Sequence, residues 1–118
     1  MDDHQYPTIA LGDFNINQKE DSKFGIYASQ EKFWSIAHLI GCYDCKGTHY
    51  YSRENSWSFL DTIFISQDRG LNYITDSVTV QITNTNSYDE LQKPKRFNPH
   101  TGKGVSDHFP IVAKLVFD

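Results

Sequence analysis

The stretch Phe59-Leu60-Asp61-Thr62-Ile63-Phe64-Ile65-Ser66, "FLDTIFIS", decides how this chain folds. Strand side chains alternate, so Leu60, Thr62 and Phe64 share one face while Asp61, Ile63 and Ile65 share the other. Both faces are largely apolar, which reads as a strand covered on two sides. Asp61 interrupts that reading. A carboxylate in a buried strand costs several kcal/mol unless it is paired or hydrogen-bonded, so Asp61 needs a partner. A histidine suits it, because an Asp that accepts from one imidazole nitrogen fixes the tautomer and leaves the other nitrogen facing a substrate. His108 in "GVSDHFPIV" (104–112), directly after Asp107, is the candidate; satisfaction of Asp61 by backbone alone is the alternative.

Working outward, "YPTIALGDF" (6–14) reads as a strand with β-branched Thr8 and Ile9, entered through Pro7 and left through Gly12. Asp13 ends it, and taken alone would be an ordinary turn residue. Residues 15–25 are polar and read as loop or a short helical turn. In "SQEKFWSIAHLIGC" (29–42), Phe33, Ile36, Ala37 and Ile40 fall at helical spacing, with Ser29 as N-cap and Gly41 as the stop, so one amphipathic helix is expected. "GTHYYSRENSWSFLDTIFIS" (47–66) reads as two short strands around the turn "SRENS", and 71–83 as a further strand. Residues 84–104, rich in Asn, Pro, Lys and Gly, read as a long surface loop before "HFPIVAKLVF" (108–117) closes the chain as a strand. The expected class is α/β of the α+β kind, a mixed or mainly antiparallel sheet with one main helix. Three strands are apolar on both sides and one helix covers one face. The other face is expected to expose an apolar patch of several hundred Å².

At 118 residues the chain is a single domain, 1–118, and its net charge of −4 supplies no global field for a nucleic acid. Any phosphate partner must be held by local groups or a metal. No apolar run approaches the ~18 residues of a membrane span, and residues 1–12 lack a basic stretch followed by an apolar one. No compartment follows from this. Cys42 and Cys45 are too few and too close to staple a secreted fold. With His38 and His49 they can be drawn as a zinc site, against the simpler reading of two incidental thiols at a helix end. "KPKRF" places Lys93, Lys95 and Arg96 together, either as phosphate contacts or as a solvated charge run.

Taken in order, "ALGDFNI" (10–16), "FLDTIFIS" and "GVSDHFPIV" resemble the C-terminal half of the endonuclease/exonuclease/phosphatase superfamily, the DNase I-like metal-dependent phosphoesterases. "GTHYY" leading through Trp57 is similar too, so the likeness spans nearly the whole chain. It implies half of a DNase I-like four-layer sandwich and a hydrolase acting on phosphoester or phosphodiester bonds, of nuclease or phosphatase type. It further implies that Asp13 orients and helps deprotonate the attacking water, and that Asn15 hydrogen-bonds the phosphate or nucleophile. His108 would contact a non-bridging phosphate oxygen, with Asp61 orienting its ring. Asp107 would contribute to a site for Mg²⁺ or Mn²⁺, a hard cation suited to carboxylate oxygens. These five residues should converge at one end of the sheet.

The chain departs from the family in one respect. Family members anchor the metal with an Asn and a Glu from a preceding half, whereas Glu20, Glu31, Glu54 and Glu90 here lie in contexts that do not match. The expectation is a fragment, weakly active or inactive alone, whose partners are a phosphoester substrate (nucleic acid, lipid or small molecule) and the missing N-terminal half, or a second copy forming a homodimer through the sheet face. A non-catalytic association module that retains the motifs is the rival reading. A small zinc-binding domain is the weaker one.

Overall fold

The computed structural model describes residues 6–42, 44–88 and 92–118; Glu90 therefore lies outside the described residues. At its centre is β5 (Asp61–Ser66), flanked by β1 (Ile9–Asp13) and β2 (Trp34–Ile36) in a three-stranded antiparallel sheet. Ile9 faces Ile65, Leu11 faces Ile63 and Asp13 faces Asp61, while Ser35 faces Ile65 on the other side. The hairpin of β3 (His49–Tyr51) and β4 (Ser56–Ser58) forms around the turn read from the sequence. Two further antiparallel pairs complete the fold: β6 (Leu71–Tyr73) with β9 (Leu115–Phe117), and β7 (Thr79–Val80) with β8 (Ile111–Val112). The class is α+β, with small antiparallel sheets and few helices. Among the described residues no helix is long and apolar enough to cross a membrane.

The polar stretch after β1 folds as α1 (Gln18–Phe24), started by a reciprocal cap in which Asn17 Oδ1 accepts from the Glu20 N–H and Glu20 Oε1 accepts from the Asn17 N–H. Gly25, with φ 59°, closes α1 and opens α2 (Ile26–Gln30). The single helix expected over 29–42 does not form. Ser29 lies within α2, residues 34–36 form β2, and only α3 (Ala37–Ile40) is helical before Gly41. Ile36 packs with Tyr27 and Phe64 on one side of the sheet, while Ala37 packs with Ile63 and Ile65 on the other. Trp34 and Ile36, two residues apart, lie in the same cluster, the signature of an extended strand, and pairing with β5 overrides the helical spacing.

The bare face is also relocated. One face of β5 is filled by Tyr27, Ile36 and Phe64 with Ala10, Ile16 and Trp34; the other by Ala37, Ile63, Ile65, Leu71 and Val78 with partly buried Ile111 and Leu115. The small pairs β6–β9 and β7–β8 supply the second cover that the sequence reading lacked. They arise because the strands read over 71–83 and 108–117 each break in two, the first at a turn where Asp76 adopts φ 61° and the second at Ala113-Lys114. Exposed apolar side chains are spread over several elements, among them Ile9 and Leu11 on the edge strand β1, 45% and 68% exposed, and Val116 and Phe117 on β9.

Candidate active site

β1 ends and β5 begins at the same edge of the sheet, so antiparallel register sets Asp13 directly opposite Asp61. Two carboxylates facing one another repel unless something between them carries opposite charge or donates hydrogen bonds. The segment 105–109 supplies the donor. It runs against β3, with the Phe109 N–H donating to the Thr48 carbonyl at 2.7 Å and His108 bridged to His49. This places His108 Nδ1 2.6 Å from Asp61 Oδ2, the distance expected of an orienting pair. With Nδ1 protonated and donating to Asp61, Nε2 is the nitrogen left to act.

Asp61 is held from a second direction by a residue the sequence reading did not single out. The Thr48 hydroxyl donates to the same Oδ2 at 2.7 Å and accepts from the Asp61 N–H at 3.2 Å. Thr48 is fully buried, and Gly47 is what brings it there. A Cβ on Gly47 would stand 2.6 Å from the Ser58 carbonyl oxygen, the same oxygen that accepts the Thr48 N–H at 2.9 Å. A larger residue would push the Thr48 turn off β4. The motif "GTHYY" contained the signal, because a partly buried carboxylate has more lone pairs than one imidazole can satisfy.

Asp107 lies beside this pair, with Oδ1 3.9 Å from His108 Nε2 and Oδ2 3.4 Å from an Arg96 Nη. Asn15 is at the rim. It adopts φ 53°, and its N–H donates to Asp13 Oδ1 at 2.7 Å, while its side chain makes no hydrogen bond to the described residues. The structure thus brings Asp13, Asp61, Asp107 and His108 together, and fixes Asn15 near them through its backbone. His49 joins as an unanticipated neighbour, its ring centroid 5.1 Å from that of His108. Partial burial, then the charge of His108, hold the His49 pKa below its ordinary value. A cleft of about 360 Å³ opens onto the site, walled by Leu11, Ile63, Val105 and Ile111.

Among the described residues, two groups of side chains offer donor atoms within 4.8 Å of one another, Asp13–Asp61–His108 and His49–Asp107–His108, and neither contains a cysteine. Cys42 and Cys45 are joined to each other as a disulfide, and His38 is turned toward the core, with Nδ1 2.8 Å from Thr62 Oγ1 and its ring stacked on Phe59. The four residues drawn as a zinc site are therefore not gathered as ligands. Both groups contain carboxylate oxygens, the donor type that hard divalent cations take, and Asp13 Oδ2 has no hydrogen-bond partner among the described residues. No family model, curated protein or solved structure matches this chain.

Proposed function

We propose that this α+β unit is half of a DNase I-like sandwich and carries the phosphate-handling side of a metal-dependent phosphoester hydrolase. The observation that supports it most is the 2.6 Å contact of His108 with Asp61, made at the sheet edge where Asp13 stands opposite. A protonated His108 donates from Nδ1 to Asp61 and from Nε2 to a phosphate oxygen, so charge that accumulates in the transition state meets a donor already aimed at it. Thr48 keeps Asp61 from turning away. Asp13, its Oδ1 tied to the Asn15 N–H, has Oδ2 available to take the proton of an attacking water. Asp107 would hold Mg²⁺ or Mn²⁺, which when bound would neutralise the phosphodiester and lower the pKa of its water, leaving Asp13 as the base.

The half-sandwich reading has its own support in β1, whose outer edge and apolar side chains lack a cover among the described residues. The partner proposed for it is the other half of such a sandwich, or a second copy of the chain in its place.

The test is hydrolysis of bis(p-nitrophenyl) phosphate with Mg²⁺ or Mn²⁺, together with nuclear magnetic resonance of the His108 ring as inorganic phosphate is added. In a form that contains both halves of the proposed sandwich, Asp61→Asn is expected to lower metal-dependent turnover by about 10²-fold or more. Phosphate should shift the His108 resonances in the parent chain and leave them nearly fixed in the variant. Turnover that Asp61→Asn does not diminish, or a His108 ring indifferent to phosphate, sinks the reading.

A further inference from the structure

We propose that the arm over residues 93–103, with Tyr50 and Tyr88, binds single-stranded nucleic acid. That it binds is independent of the hydrolase reading; that the bound strand is the substrate rests on it. Residues 92–106 contain Lys93, Lys95, Arg96 and Lys103 and no acid, in a chain of net charge −4; Asp89 and Glu90 precede them in sequence, outside the described residues. Local concentration of positive charge against that background points to a polyanion.

The arm is folded rather than loose. The Lys95 N–H donates to the carbonyl of buried Asn86 at 2.9 Å, the Val105 N–H to the Lys95 carbonyl at 2.8 Å and the Asn98 N–H to the Lys103 carbonyl at 2.8 Å. Gly104, at φ 82°, closes it, because any Cβ there would run into the Arg96 carbonyl. Cations and rings interleave along it. Lys93 Nζ lies 4.0 Å over the Tyr50 ring and Lys95 Nζ 5.4 Å over Tyr88, while Tyr88 and Phe97 are 48% and 51% exposed. A groove runs between Tyr88, Lys95, Phe97 and Lys103.

Charge alone would suit any polyanion; the rings narrow the choice. A single strand alternates phosphates with unstacked bases, and bases stack on exposed aromatic side chains, whereas a duplex keeps its bases stacked on one another. A membrane surface would call for an apolar wedge at the tip, but the tip is Asn98-Pro99-His100-Thr101-Gly102. The path also leads to the site. Arg96 reaches Asp107 at 3.4 Å, and Tyr50 adjoins His49, which packs against His108.

The experiment is fluorescence anisotropy of a labelled 15-mer of deoxythymidine with the full chain, without divalent metal, at rising NaCl. Binding should weaken with a log–log salt slope of about −2 to −3, as expected for four cations on a single strand. Lys95→Glu with Lys103→Glu should weaken binding about ten-fold or more, and Tyr88→Ala with Phe97→Ala about five-fold or more. Lys32→Glu with Lys114→Glu, the same charge change outside the arm, should cost much less. The milder Lys95→Gln with Lys103→Gln, chosen in case the reversed charges unfold the arm, should flatten the slope by roughly 1. No binding by the parent chain, equal losses from the arm and control variants, or indifference to the loss of both rings overturns the proposal. So does binding to phosphatidylserine vesicles that the oligonucleotide fails to displace. An inactive chain that binds the oligonucleotide through the arm leaves the binding surface standing and removes only its link to hydrolysis.

Discussion

β5 and β1 lie side by side in register over five residue pairs and carry similar apolar side chains, yet Thr62–Ile65 of β5 are all buried while β1 is exposed at every position but Ala10. An apolar strand pattern identifies a strand; its place in the sheet decides whether the pattern is buried. β5 is central, with an apolar cluster on each face, and β1 is an edge. The sharpest way to break this contrast is a pair of truncations. Ile65→Ala is expected to cost about 2–5 kcal/mol, because it empties a fully packed position, while Leu11→Ala should stay within about 0.5 kcal/mol. Urea unfolding of both variants decides it, and similar losses would mean that β1 is covered after all.

The packing around β5 also carries a pH dependence. His38, packed between Tyr27 and Phe59, has its pKa lowered by burial from 6.5 to about 4. Between those two values the unfolded chain binds the proton and the folded chain does not, so stability falls as pH drops through that window and is intact above it. The full loss from this group is about 3 kcal/mol. Unfolding midpoints at pH 7 and pH 4.5 should converge in His38→Gln. An unchanged pH dependence in that variant would assign the acid sensitivity elsewhere.

Thr48 tests the boundary between the two regions, since it holds Asp61 where the buried strand emerges beside β1. Thr48→Val keeps the shape and removes the hydroxyl, so a cost of about 1–2 kcal/mol is expected, with a shift of the His108 ring resonances that Ser in place of Val should reverse. A His108 ring unmoved in Thr48→Val would show that the imidazole alone positions Asp61.

Much of this arrangement was legible in the residues. The penalty for burying Asp61 demanded a partner, and alternation within "FLDTIFIS" identified a strand with two apolar faces. What misled was Phe33, Ile36, Ala37 and Ile40, whose helical spacing coexists with a register that pairs Trp34–Ile36 to β5. Short apolar runs satisfy both periods, and only the need of β5 for a neighbour separates them. Thr48 stayed hidden for a different reason: a hydroxyl acquires its role from the carboxylate it meets, thirteen residues away in sequence. Residues 84–104 read as loop because the bridges Ser87–Pro94, Arg96–Val105 and Asn98–Lys103 are made by backbone, which composition does not report.

The smallest effect on stability should come from Leu11→Lys. At an exposed edge position the substitution removes little packing, so unfolding should move by no more than about 0.5 kcal/mol. Association is another matter. An edge strand presents unpaired N–H and C=O groups beside exposed Ile9 and Leu11, which is a template for another strand, and a lysine on such an edge discourages pairing. The parent chain is expected to self-associate with rising concentration in light scattering, and Leu11→Lys to stay monomeric. A parent chain that is monomeric at every concentration would mean that β1 requires no second copy, leaving the other half of the proposed sandwich as its only proposed cover; a Leu11→Lys chain that still associates would move the interface away from β1 altogether.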